Sequence, residues 1–277
     1  MSPCVEHRRA RPLLGTFVEI NARGTCAEEA VEAAFAEIEK VHRLMSFHDP
    51  ASDVSHFNAT PVGKKIRLHP WTHRVLRLAA QLSEDSGGVF DITVAPALAA
   101  LGFLPPTPRH SGSWRDLHLH SDGTGMKTQP LTIDLGGIAK GFAVDVAVRK
   151  LMRFPGIAAG LVNAGGDLRA FGNEPWPVAI RHASDPGQRA AIIQLQNAAV
   201  ATSAGYYRSR QHDGTRITAL IHGISRQPLS ADGSVSVIAP TAAVADALTK
   251  VIALGASPRI LRKYRAQSYV QNRLAVA

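Results

Sequence analysis

The chain has only two cysteines, Cys4 and Cys26, too few for a disulfide framework and without the spacing of a metal-ligand set. They say little about compartment. No run of 18 apolar residues occurs, so no membrane-spanning helix and no membrane insertion are expected. No signal peptide is expected either, because Arg8-Arg9-Ala10-Arg11 leads straight into a β-like run. As written, the chain is expected to be cytoplasmic, or periplasmic if its N-terminus was trimmed. There is no Gly-x-Ser-x-Gly elbow, no P-loop, no Cys-x-x-Cys pair and no His-Glu-x-x-His, which weakens hydrolase, NTPase, redox and zinc readings together. Acidic residues are in deficit: 22 Asp plus Glu face 31 Lys plus Arg, a net charge of +9. Such an excess suits nucleic acid, a membrane surface or a polyphosphate ligand. The positive residues cluster only at Arg8, Arg9 and Arg11 and at Arg259, Arg262, Lys263 and Arg265, with no nucleic-acid-reading motif, so no nucleic acid partner is expected. A lone histidine such as His69 or His110 is more often a surface or packing residue than a ligand.

What is present is a chain of 277 residues, 45% hydrophobic and 19% charged, enough for one large domain or two closely joined lobes. The rest is organised around IDLGGIAKGFAVD, Ile133 to Asp145, which reads as strand, tight glycine turn and helix. A helix that starts on such a turn presents unpaired N–H groups and the positive end of its dipole, where a phosphate or another anion can sit. Lys140 falls in its first turn and Asp134 at the strand end. Spacing alone fits equally well an ordinary strand-to-helix connection with a solvated lysine.

Along the chain, Leu13 to Asn21 alternates as a first strand, and Thr25 with Glu28 forms a capping box for a five-turn helix bearing Val31, Phe35, Ile38, Val41 and Met45. Pro50 ends that region, and Ser52 caps a short helical turn. Pro70 opens a second long helix that Gly87-Gly88 closes, and it is expected to pack beside the first. Val89 to Val94 is strand-like and runs into a helical turn at Ala95 to Leu98. The prolines at 105, 106 and 108 mark a loop, flanked by β-like runs at Leu117 to His120 and Leu131 to Leu135. Ala159 to Leu168 repeats the strand with a double glycine, and two such turns suggest one shared ligand surface. Val178–Arg181, Ala190–Leu195, Ala198–Thr202, Arg216–Ile221 and Ser234–Ile238 are strands at hairpin spacing. Thr241 to Leu254 is a helix closed by Gly255, with Asp246 and Lys250 four apart on one face. The tail after Pro258 reads as a short helix.

Seven segments, LLGTFVEI, MSFHDPASDVSHFN, GGVFDITVAPAL, IDLGGIAKGFAVD, LVNAGGDLRAFG, AVATSAGYYR and SVSVIAPTAAVADALTK, stand in the order and spacing of the ApbE-type FAD:protein FMN transferases, and the chain resembles that family over nearly its whole length. The resemblance implies an α+β, T-fold-like architecture of mixed or antiparallel sheets with flanking helices in two closely joined lobes, residues 1–277 forming a single flavin transferase domain. It implies an enzyme that binds FAD with Mg2+ at the pyrophosphate, moves FMN to a threonine or serine of an acceptor flavoprotein and releases AMP. Leu14 stands where the family commonly has a methionine, and His48 where an aromatic residue lies against the flavin. Val89, Phe90 and Asp91 match a flavin-nucleotide contact segment, Asp134 and Lys140 fall on ligand positions, and Thr202 and Ser203 match a further segment near the ligand. The Gly137 carbonyl and Asp246 match metal ligands, and Asp246 and Lys140 are the implied catalytic residues. Two departures follow. Lys250 occupies the position of a threonine ligand, with Thr249 one residue early, and an ammonium cannot coordinate magnesium. Ala219 to Arg226 stands in place of His-x-x-Asp-Pro-x-Thr-Gly, with no Asp, Pro or Gly in the usual places. Two alternatives therefore stay open: an FAD-binding carrier or regulator without transferase activity, and an FAD pyrophosphatase that uses water instead of the acceptor hydroxyl.

Overall fold

The computed structural model describes residues 5–205, 209–231 and 233–272; Cys4 and the Tyr206 to Arg208 part of AVATSAGYYR lie outside them. The first half runs β1 (Val5–Leu13), β2 (Thr16–Gly24), α1 (Ala27–Met45), α2 (Asp53–Ala59), β3 (Ile66–Arg67), α3 (Pro70–Asp85), α4 (Ala95–Ala100), β4 (Leu117–Leu119), β5 (Thr124–Lys127) and α5 (Ala139–Arg153). The second continues with β6 (Ile157–Ala164), β7 (Asp167–Phe171), β8 (Trp176–Arg181), β9 (Arg189–Leu195), β10 (Ala199–Ala204), β11 (Ser209–His212), β12 (Thr215–Ile221), β13 (Pro228–Ser230), β14 (Ser234–Ala239), α6 (Ala242–Ala253), α7 (Ile260–Lys263) and β15 (Gln267–Gln271). Seven strands form the main sheet in the order β1-β2-β6-β7-β10-β14-β15. The expected α+β class with flanking helices is what the fold shows. Of the mixed or antiparallel sheets expected, the fold has the antiparallel kind: every strand pairing among the described residues is antiparallel.

Alternation along β6 and β10 gives this sheet two buried faces. Val162, Ala199 and Ala201 point into the large core under α1, α5 and α6, whereas Leu161 and Val200 point the other way and pack with Trp176, Val178 and Ile180 of the β8–β9 ribbon. Helix α5 lies at the centre of the large core, buried without interruption from Gly141 to Val148. Its small residues permit that: α1, β6 and α6 all pack against it. Helix α6 is alanine-rich and similarly enclosed.

Local signals held where the chemistry is local. The Ser52 hydroxyl accepts the Ser55 N–H at 3.0 Å to start α2, Pro70 opens α3, and Gly255 ends α6 with φ of +87°. Elsewhere side chains displaced the expected elements. Leu13 to Asn21 is not one strand, because Leu14 and Gly15, at φ of 57° and 70°, form a two-residue turn between β1 and β2. The capping box at Thr25 is absent: Cys26 is the N-cap and makes no side-chain cap. Val89 to Val94 is a turn, since the Ser86 hydroxyl takes the Phe90 N–H and the Asp91 carboxylate takes the Thr93 N–H. Leu131 to Leu135 has no regular secondary structure and forms no ladder; the Asn58 amide binds both the N–H (2.8 Å) and the carbonyl (3.0 Å) of Ile133. The tail holds β15 as well as the short helix.

Candidate active site

A cleft of about 1580 Å³ opens where the β1–β2 turn, the end of α1, the two double-glycine turns and the start of α5 meet. Gly136 and Gly137 form one part of its wall and Gly165 and Gly166 another, so the two glycine turns do share a surface. The second turn joins two strands, β6 and β7, with both glycines at positive φ. Of the residues singled out in the sequence, Leu14, His48, Phe90, Asp91, Asp134, Gly137, Lys140, Thr202 and Ser203 line the cleft. Val89 does not; it packs against the core. Asp246 is not a wall residue either, and is fully buried behind Lys140 and Lys250, which are.

The floor of the cleft is a chain of alternating charges. Lys250 contacts the Asp246 carboxylate through Oδ1 and also donates to the Asp246 carbonyl at 2.9 Å. Lys140 Nζ lies 3.8 Å from the same Oδ1 and contacts Asp167, another buried carboxylate. Burial pushes the Asp246 carboxyl up, but the Lys140 and Lys250 ammoniums and the Gly141 N–H together hold it below the usual carboxylate range. Burial and the neighbouring Asp246 charge push Asp167 up. Burial works against the Lys140 charge, yet Asp167 and Asp246 keep its pKa above the usual value, so it stays an ammonium.

Two helix N-termini converge behind these charges, and each is capped by the other helix. Neither α5 nor α6 has a side-chain cap of its own. Asp246 of α6 accepts the Gly141 N–H of α5 at 3.0 Å, while Asp145 of α5 accepts the Ala242 and Ala243 N–H groups of α6, each at 2.9 Å. Arg169 of β7 donates to the same Asp145 at 2.6 Å. The Gly141 N–H in the first turn of α5 thus meets an anion of the protein itself, the Asp246 carboxylate. Asp145, Gly141, Asp167 and Arg169 were all within segments recognised in the sequence, but only tertiary pairing shows their roles.

The departing segment, Ala219 to Arg226, runs along the cleft through Ala219, Leu220 and Ile221. Its His222 Nδ1 accepts the Ile224 and Ser225 N–H groups, each at 3.3 Å, so an imidazole holds the turn where the family pattern has Asp. Arg226, where the pattern has Gly, takes the φ of 60° that glycine would adopt without strain. Its guanidinium reaches Asp91 at 3.1 Å and Thr93 at 3.2 Å. Burial raises the Asp91 pKa against the pull of Thr93 and Arg226.

The donor set does not fit a divalent cation. Both Asp246 side-chain oxygens already meet donors, and its carbonyl accepts from Lys250 and from the Thr249 hydroxyl at 2.6 Å. Thr249 Oγ1 also pairs with Ser203 Oγ at 2.7 Å, so it does not stand in for the absent threonine. No group of three or more His, Cys, Asp or Glu side chains among the described residues converges as a metal site.

The sequence model of the ApbE family matches residues 14–270. A Haemophilus influenzae protein named FAD:protein FMN transferase is 30% identical over 248 residues, covering 80% of this chain and 71% of the relative. One of the same name from Rhodobacter capsulatus is 27% identical over 271 residues, 90% of this chain and 52% of the relative. The ApbE protein of Thermotoga maritima superposes with a TM-score of 0.84 at 25% identity over 97% of each chain. The apo flavinyl transferase ApbE of Pseudomonas stutzeri, at 23% identity, shares the fold, with a TM-score of 0.82 over 99% of this chain and 92% of its own.

Proposed function

Because the chain belongs to the ApbE family, we propose that it is an FAD:protein FMN transferase, moving FMN from FAD to a threonine or serine hydroxyl of an acceptor flavoprotein. The observation that carries this reading is the cleft floor, where the Lys140 and Lys250 ammoniums are anchored on buried carboxylates beside two glycine turns. That arrangement suits a dinucleotide pyrophosphate, whose oxygens need fixed positive charge and close backbone approach. In the transfer, the acceptor hydroxyl oxygen bonds to the FMN phosphorus, the bond from that phosphorus to the bridging oxygen breaks, AMP departs with that oxygen, and the hydroxyl proton is released. Most of the catalysis in such a transfer is positioning and charge stabilisation. Lys140 neutralises the pyrophosphate, while Asp167 and Asp246 hold that ammonium in place. Phe90, His48 and Leu14 form the apolar and aromatic wall on which the isoalloxazine would lie. Leu14 keeps a left-handed conformation that a branched residue adopts only under constraint, which fits a wall formed by a tight turn.

A second reading, an FAD-binding protein without transfer, is favoured by one observation: Ala219 lies on the cleft wall where the family pattern has His, and a methyl group takes no proton. One experiment separates the readings. The purified protein is titrated with FAD and FMN by flavin fluorescence, then incubated with FAD and a candidate acceptor, with acceptor mass and AMP both measured. Preferential FAD binding with stoichiometric AMP and flavinylated acceptor is the expected outcome. Binding without AMP supports the carrier, AMP without a mass increase supports the pyrophosphatase, and equal or absent affinity for the two flavins refutes the FAD site.

A further inference from the structure

The two ammoniums on the cleft floor are not equivalent. Lys140 reaches Asp246 only at 3.8 Å and is held mainly by Asp167, whereas Lys250 occupies Asp246 itself, through Oδ1 and the carbonyl. Each Asp246 oxygen is already met by a donor, and Lys250, which donates to two of them, is a group that cannot act as a ligand. Charge points the same way. Asp167 and Asp246 balance Lys140 and Lys250; a neutral residue at 250 would leave one uncompensated negative charge, the setting that attracts a cation. With Lys250 present, a divalent ion beside Asp246 would face two ammoniums at close range in a buried site. Lys250 is 12% exposed and lines the cleft, and an ammonium has three protons, of which two are used on Asp246.

We propose that Lys250 takes the place of a metal ion: its third proton and the Lys140 ammonium bind the pyrophosphate oxygens of FAD directly, so that flavin binding needs no divalent cation. This rests on the FAD-binding reading above. Helix α6 makes the substitution feasible, because residues four apart lie on one face, so Lys250 folds back onto Asp246 one turn earlier without distorting the helix. Asp246 then serves as the anchor of an ammonium instead of a ligand.

The test uses the full chain and two readouts. Mn2+ is titrated against the protein and followed by electron paramagnetic resonance, with and without FAD; FAD is titrated in EDTA and in Mg2+. The wild-type protein is expected to leave the Mn2+ signal free and to bind FAD within about twofold in the two buffers. Lys250→Thr is expected to bind FAD at least about tenfold more weakly in EDTA, to recover with Mg2+, and to attenuate the Mn2+ signal. Lys250→Met, which keeps the chain length without the charge, should lose FAD affinity in both buffers. Mn2+ binding by the wild type, FAD affinity that rises about tenfold with Mg2+, or a Lys250→Thr variant that binds FAD normally in EDTA would each overturn the proposal. The wild-type measurements need no variant to fold. If the wild type binds no FAD in either buffer, the FAD reading fails, and the Mn2+ arm still decides the exchange of lysine for metal: a free signal with the wild type and an attenuated one with Lys250→Thr uphold it, and any other pattern overturns it.

Discussion

Replacing Gly141 with alanine should destabilise the protein although alanine is the better helix former. Gly141 lies inside α5, where propensity alone favours alanine by about 1 kcal/mol. The position its Cβ would take is 2.2 Å from the Ala242 carbonyl oxygen, 2.6 Å from the Ala242 carbonyl carbon and 2.8 Å from the Ala243 Cα. All three are backbone atoms at the start of α6, so no side-chain rotation relieves the clash and the two helices must separate by roughly 1 Å. Overpacking of this kind costs about 1–3 kcal/mol. Separation also stretches the bond from the Gly141 N–H to Asp246, and a hydrogen bond to a charged group contributes about 1.5–3 kcal/mol. Set against the propensity gain, the net loss is about 1.5–5 kcal/mol, or a Tm lower by roughly 3–20 °C for a chain of this size. Urea and thermal denaturation measure it directly. Gly63→Ala, which meets nothing within 4 Å and suffers only its φ of +78°, is the control and should lose about 1–2 kcal/mol. FAD affinity should fall in the Gly141 variant, since Asp246 anchors Lys250. A Gly141→Ala protein as stable as the wild type, or more so, would refute the close contact between α5 and α6 and with it the reciprocal capping.

Asp145→Ala should lower stability by about 3–5 kcal/mol in urea titrations, because it uncaps α6 and leaves Arg169 unpaired in a largely buried setting, and Asp145→Asn should cost less. Arg226→Gly relieves a left-handed arginine, a gain of about 1–2 kcal/mol, yet leaves the buried Asp91 carboxylate without its cation, and the loss should win at pH 7. A carboxyl whose folded pKa is raised stabilises below its unfolded value and destabilises as the pH climbs through the folded one; without Arg226 the Asp91 pKa rises further, so the variant's deficit should grow from pH 4 to pH 7 and shrink on acidification, as denaturant midpoints across pH would report. Tyr264→Phe removes a 2.6 Å bond to Asp85 that ties α7 to the end of α3, and should cost about 1.5 kcal/mol at pH 7. Burial pushes Asp85 up, but the bonds from Lys263, Tyr264 and Gln81 bring it below its ordinary value, so this contribution is present above the unfolded value near 4 and should vanish as the pH falls below it.

Much of the architecture was legible because its causes lie within a few residues. Helical spacing placed α1, α3, α5 and α6; Ser52 marked the start of α2, Pro70 the start of α3 and Gly255 the end of α6; hairpin spacing marked the strands of the second half. The ordered motifs likewise brought most of the residues that line the cleft onto the page, Leu14, Asp134 and Lys140 among them. The turn at Leu14 was not legible, since a leucine in left-handed conformation carries no local signal, and neither were the segments at residues 89–94 and 131–135, whose backbone groups are taken by the side chains of Asp91 and Asn58. The chemistry of the floor was decided only by tertiary structure. Asp246 and Gly141 are 105 residues apart, Asp145 and Ala242 are 97 apart, and Asp91 and Arg226 are 135 apart. Sequence could show that Lys250 was four residues from Asp246 on a helix. Whether that pair was a solvated surface contact or a buried ion pair depended on what packed over it, and burial belongs to the assembled core, not to any segment of the chain.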